Sequence, residues 1–253
     1  MRRVFTGLIF FILSIAISYN AEAAAVDYTS YAKILHIYVN TEGRVDYKGL
    51  LQHRDMLDTF IRDQIEEADL SDKTPAQKKA FWINAYNALT LRLILDHYPP
   101  PFGQIRGIHW GRPWSLPMRA AGRDITLNDI EHKILRKWQP PDPRIHFAIN
   151  CASIGCPKLP DVPFLPQTLD QQLNQQAVRF NNDPEKVRLD RTNNILYHSA
   201  IYKWFKEDFV AQKGSILDFI LQYINPEDRA YLQKNRDKIK LRTIPYDWGL
   251  NKQ

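Results

Sequence analysis

Thr74-Pro-Ala-Gln-Lys-Lys-Ala-Phe-Trp-Ile-Asn-Ala-Tyr-Asn-Ala-Leu-Thr-Leu-Arg-Leu-Ile-Leu-Asp-His97 opens with a helix-start signal. A threonine that can cap free amides is followed by proline at the first helical position. From Ala80 to His97 the apolar side chains Phe81, Trp82, Ile83, Tyr86, Leu89, Leu91, Leu93, Ile94 and Leu95 fall nearly all round the helix axis. That pattern marks a helix buried on every side, so the stretch predicts the central element of the fold. Asn84 and Asn87 interrupt it three residues apart and share a face, where a buried amide needs hydrogen-bond partners. They either satisfy backbone groups of a neighbouring loop or offer an amide donor to a developing oxyanion; Asn84 is the candidate for the second role.

Working outward, apolar spacing predicts helices over Val26 to Val39 and Lys48 to Ala68, separated by the turn-like Thr41-Glu-Gly-Arg44. Beyond the central helix, Ile105 to Pro117 is loop-rich and holds His109, Trp110, Arg112 and Trp114. This mixture reads as the wall of a binding groove or as aromatic packing beneath a loop. Gly122-Arg-Asp-Ile-Thr126 predicts a short strand or turn, and a helix capped by Thr126 or Asn128 then runs to about Trp138. Its inner stripe is Ile130, Ile134, Leu135 and Trp138, with Glu131 and His132 beside it.

The C-terminal third predicts a helix over Thr168 to Asn181 and two strands, Val187 to Leu189 and Ile195 to Tyr197, about a turn. Helical stretches follow through Tyr202, Trp204, Phe205 and Phe209 to about Lys234, before an alternating, half-buried strand at Lys238-Ile-Lys-Leu-Arg242. The fold class is therefore α+β: one helix-rich domain over residues 26–253, packed on a small mixed or antiparallel sheet.

The first residues predict a compartment. Met1-Arg-Arg3 is basic, Val4 to Tyr19 is almost wholly apolar, and Ala21-Glu-Ala23 or Ala23-Ala-Ala25 offers a small-x-small cleavage pattern. Residues 1–25 read as a secretory signal peptide, which places the remainder in the periplasm or outside the cell. No later apolar run approaches the ~20 residues of a membrane span. A net charge of +6 is mild and is no nucleic-acid footprint.

Arg144-Ile-His-Phe-Ala-Ile-Asn-Cys-Ala-Ser-Ile-Gly-Cys-Pro157 holds both cysteines of the chain. Ile145, Phe147 and Ile149 alternate with His146, Ala148 and Asn150, which predicts a strand delivering Cys151 into a tight loop. Five residues of extended chain would place His146 and Cys151 on opposite faces, so His132 is the better candidate base.

Phe81-Trp-Ile-Asn-Ala-Tyr-Asn-Ala88, Leu127-Asn-Asp-Ile-Glu-His-Lys-Ile-Leu-Arg136, Asp142 to Pro157, Ile201-Tyr-Lys-Trp-Phe-Lys-Glu-Asp-Phe209 and Ile244-Pro-Tyr-Asp-Trp-Gly-Leu-Asn251 together resemble the domain-of-unknown-function 547 family. The resemblance implies an exported bacterial domain and carries no substrate or catalytic residue with it.

Two readings of the residues stand side by side. In the first, the protein is a thiol-dependent hydrolase or acyltransferase. Cys151 is the nucleophile, His132 takes its proton, Glu131 faces the site and Asn84 orients the base or binds an oxyanion. In the second, it is a noncatalytic envelope binding or scaffolding domain in which Cys151 and Cys156 form a disulfide, as exported cysteine pairs commonly do. The spacing C-x4-C without a matching downstream pair is no recognised metal pattern, and no cofactor is expected. The expected partner is an envelope substrate or protein, with no nucleic acid.

Overall fold

The computed structural model describes residues 26–253, so the expected signal peptide lies outside the described residues. The fold is α+β, as the sequence predicts. Helices α1 (Thr29–Tyr38), α2 (Tyr47–Gln52) and α3 (Arg54–Phe60) come first, the last running into a π-helical turn at Ile61–Glu66. α2, α3 and the π-helical turn pack against α4 (Pro75–Asp96), and α1 packs on α2 and α3. The start of α4 is a complete capping box: Thr74 accepts from the Gln77 amide while the Gln77 side chain accepts from the Thr74 amide. Fifteen residues, Ala80 to Leu91 and, after the half-buried Arg92, Leu93 to Leu95, bury almost all of the helix surface.

A short hairpin follows, β1 (Met118–Ala120) pairing antiparallel with β2 (Arg123–Ile125). The predicted helix from Thr126 to Trp138 is not uniform. It begins as α5 (Leu127–Asp129), capped by Thr126, widens into a π-helical turn at Ile130–Ile134 and tightens into a 3₁₀ turn at Leu135–Lys137. Glu131 and His132 lie in the π-helical turn, a form met often at functional sites.

The C-terminal part comprises α6 (Leu169–Asn181), β3 (Val187–Asp190), β4 (Ile195–His198), α7 (Ala200–Trp204), α8 (Lys206–Lys213), α9 (Ile216–Ile220), α10 (Pro226–Lys234) and β5 (Lys240–Thr243). The sheet is mixed: β3 runs antiparallel to β4, and β5 runs parallel to β4. Leu241 is half-buried while Lys240 and Arg242 stay at the surface or its edge, the alternation expected of an edge strand. Among the described residues no helix is long and apolar enough to cross a membrane.

The stretch before Cys151 is not the predicted strand. Pro143–Phe147 is a 3₁₀ turn, begun by Asp142, whose carboxylate accepts from the Arg144 amide. The physical reason lies in what surrounds it. Ile145 and Ile149 join the large apolar cluster around α4, whereas Phe147 joins a second cluster built from α6 to α10. The alternating apolar residues therefore serve two cores rather than one face of a sheet, and His146 and Asn150 between them are buried too. The turn sits at the seam of the two clusters, and the segment with both cysteines leaves from that seam.

Candidate active site

The loop after this turn is fixed by side-chain amides. Asn87 of α4 donates to the Ala148 carbonyl at 3.0 Å and accepts from the Asn150 amide at 2.8 Å. Asn150 in turn donates to the Pro157 carbonyl at 2.7 Å and accepts from the Ala152 amide at 2.8 Å, tying both ends of the loop together. The C-terminal segment closes over it: the Ile154 amide donates to the Gly249 carbonyl and the Gly155 amide to the Asp247 carbonyl, at 2.7 and 2.8 Å.

This geometry brings Cys151 and Cys156 into a disulfide, with Cα atoms 6.1 Å apart. The Cys151 amide donates to the Cys156 sulfur at 2.9 Å, and the Tyr246 hydroxyl lies 3.2 Å from each sulfur. Gly155 makes room for the tyrosine, because a Cβ there would meet its ring at 2.8 Å.

The disulfide forms part of the wall of a cavity of about 180 Å³, which Glu131, His132, His146 and Tyr86 also line. Its aromatic rim comes from three distant segments. Tyr246 and Trp248 have ring centroids 4.4 Å apart, Trp204 lies 4.7 Å from Tyr246, and Trp114 lies 6.1 Å from Trp248. The indole N–H of Trp114 is buried and has no hydrogen-bond partner among the described residues.

Beside the cavity lies a charged network. Arg136 grips Asp208 with two hydrogen bonds, at 2.6 and 3.0 Å, and His146 Nε2 donates to Asp208 Oδ2 at 2.7 Å. The His146 ring stacks on Phe205 with centroids 4.0 Å apart. Burial lowers the His146 pKa and outweighs the opposing pull of Asp208, so the ring is neutral and its Nε2 carries the proton. Burial alone would raise the Asp208 carboxyl, but hydrogen bonds from His146 and Arg136 and the arginine charge hold it well below the usual carboxylate range.

Arg136 also fixes the tautomer of His132. Its Nη1 lies 3.3 Å from His132 Nδ1, and a guanidinium can only donate, so Nδ1 accepts and the neutral ring carries its proton on Nε2. Burial and the Arg136 charge both lower the His132 pKa. Glu131 moves the other way. Burial pushes its carboxyl up to about 7, against the smaller effects of a 3.4 Å hydrogen bond from Tyr86 and the Arg136 charge.

The structure thus brings together Cys151, Cys156, His132 and Glu131, and adds His146, which the strand expectation had set on the wrong side. It does not bring Asn84 there. Both amide atoms of Asn84 are engaged by the backbone of Phe164, at 2.7 and 3.0 Å, so this residue holds a loop. Among the described residues no three His, Cys, Asp or Glu side chains group as a metal ion requires. Arg136, Asp208, Tyr86, Tyr246 and Trp248 went unassigned from sequence. The signal was present: four of the five lie in the stretches 127–136, 201–209 and 244–251, and Tyr86 lies within 81–88.

Residues 70–180 match the model of a family described as protein of unknown function, DUF547. Over that span the chain is similar to the DUF547 family. No curated protein and no solved structure matches the chain. The DUF547 span contains α4, the π-helical turn and both cysteines, but Asp208, Tyr246 and Trp248 lie beyond it. The cavity is therefore completed by residues outside the matched region.

Proposed function

We propose that the cavity is the catalytic site of a thiol-dependent hydrolase or acyltransferase, held in an oxidised resting state by the Cys151–Cys156 disulfide. The observation that carries this reading is the gathering of Cys151, Glu131 and His132 on one aromatic-walled cavity, with the Glu131 carboxyl pushed up to about 7. A titratable group displaced by burial inside a cleft is the usual mark of acid–base work.

An external dithiol would reduce the bridge, becoming a disulfide as two protein thiols form. The Cys151 thiol then passes its proton to ionised Glu131, and the thiolate attacks an acyl carbonyl to form a carbon–sulfur bond. The leaving group departs with the proton returned from Glu131. Water, or an acceptor nucleophile, next attacks the thioester and regenerates the thiol. In this scheme His132 is a donor rather than a base, because Arg136 occupies Nδ1 and leaves the proton on Nε2. The unpartnered Trp114 N–H supports a second donor role toward the carbonyl oxygen. The compartment that suits a resting disulfide is the periplasm or the exterior of the cell.

The test is acylation of the reduced protein by an activated acyl ester, read by mass spectrometry. One thioester on Cys151, absent from the oxidised protein and slowed by Glu131→Gln, is the expected result. No acylation, or equal acylation of both cysteines, overturns the proposal. The bridge itself, with the Tyr246 hydroxyl 3.2 Å from each sulfur, favours a second reading. There the protein is a noncatalytic binding or scaffolding domain of the envelope and the disulfide only fixes its loop.

A further inference from the structure

Between His97 and Arg123 the chain contains no aspartate or glutamate, while it carries four arginines. Within this stretch two kinked segments, Pro101–Gly103 and Ile105–Gly111, project Phe102 and Trp110 into solvent from non-helical positions, 92% and 97% exposed. Exposed large aromatics are uncommon on a protein surface, and these two border one shallow depression together with Arg106 and His109.

The projection is built rather than frayed. Ile105 and Ile108 are buried beneath it, Gln104 pairs with Gly249, and the Leu250 amide donates to the Gly103 carbonyl at 3.0 Å. Gly107 packs so closely on the first segment that a Cβ would meet the Pro101 carbonyl oxygen at 2.2 Å. Phe102, His109 and Trp110 all adopt positive φ, of 58°, 47° and 54°, a conformation that side-chain-bearing residues avoid unless their surroundings impose it. Arg106, His109 and Arg112 are exposed around the rings, and the Arg106 guanidinium lies 4.7 Å from the Trp248 ring at the cavity rim. The carboxylate on the segment that pairs with the projection, Asp247, accepts from the Gly249 amide.

We infer that the Phe102/Trp110 projection is a membrane-docking element that seats on a bilayer surface carrying anionic headgroups. Tryptophan and phenylalanine partition into the headgroup region, and arginine forms paired hydrogen bonds with phosphate. Basic residues near the surface add charge attraction to anionic lipid. Charge and economy favour the bilayer over a protein partner: a stable protein interface takes roughly 800 Å² per side, whereas interfacial insertion needs only a few side chains. Docking there would hold the cavity rim at the bilayer, and this inference does not depend on the chemistry of Cys151.

The experiment is partition of the full chain into vesicles of phosphatidylcholine alone or mixed with phosphatidylglycerol. Phe102→Ala with Trp110→Ala, and separately Arg106→Gln with Arg112→Gln, are compared with wild type. All proteins carry the same apolar run at Val4 to Tyr19, so differences between them report the projection. We expect tighter binding to the anionic vesicles and a loss of about tenfold or more in each double variant. Melting temperatures should stay unchanged because the substituted side chains are exposed. Brominated acyl chains should quench wild-type tryptophan emission more than that of Trp110→Phe, and Cys151→Ala should partition as wild type. Equal binding of the aromatic double variant, equal binding to neutral and anionic vesicles, or no binding overturns the inference.

Discussion

His146 Nε2 lies 2.7 Å from Asp208 Oδ2, although 62 residues separate them in the chain. The contact joins the turn at the seam of the two apolar clusters to α8, and Arg136 locks the same carboxylate from the other side. One carboxylate thus holds the floor of the cavity to its flank.

Asp208→Ala should destabilise the protein by about 3 kcal/mol, because it leaves a half-buried Arg136 and the buried His146 without their acceptor. Since the Asp208 pKa is depressed in the folded state, its contribution is present above the unfolded carboxylate range. It is lost as pH falls through the folded value. Urea denaturation at pH 7 and pH 3 should show the gap between wild type and variant narrowing in acid.

Glu131 predicts the opposite pH dependence. Its folded pKa is raised to about 7 from an ordinary 4.5, so its favourable contribution is complete below the unfolded value and disappears as pH rises through 7. Ionisation costs at most about 3 kcal/mol, reduced by water entering the cavity mouth. Glu131→Gln should therefore flatten the stability profile between pH 5 and pH 8, a change read by thermal melts across that range.

Cys156→Ser should lower stability by about 2 kcal/mol, the modest value for a bridge that closes a short loop. Wild type under reducing conditions should match the variant in denaturant midpoint. A far larger loss would mean that the bridge supports more than its own loop.

Gly155→Ala is expected to act on the site more than on the fold. The added Cβ meets the Tyr246 ring at 2.8 Å and must displace the hydroxyl that contacts both sulfurs. After reduction, Cys151 should alkylate several-fold faster in the variant if the tyrosine shields it, with a loss of about 1–3 kcal/mol in stability from overpacking.

Much of this molecule was legible because local signals acted alone. Thr74 and Pro75 announce α4, Thr126 announces α5, and the strands β3, β4 and β5 lie within a residue or two of their predicted places. The segment 145–149 misled because alternating hydrophobicity reports burial on one side only when a single core exists. Ile145 and Phe147 belong to different cores. Cys151, His132 and Glu131 could be named from residue type, whereas Asn84 could not be separated from Asn87 or from a structural role. Of the partners that set the chemistry, Arg136 stands four residues after His132, a spacing that a helix brings together, whereas Asp208 reaches His146 through long-range packing that spacing does not encode.

The segment 244–251 supplies Tyr246 and Trp248 to the cavity, lends backbone acceptors to the disulfide loop and joins Gln104, while the Val45 amide donates to the Asn251 carbonyl. These residues leave the ribosome after every other part of the site. A nascent chain can fold α4 and bury the seam, yet it has neither the rim nor the clamp on its cysteine loop until this segment arrives. Assembly of the site therefore waits on this segment, and a chain cut short before residue 244 would carry both cysteines in a cavity that lacks Tyr246 and Trp248.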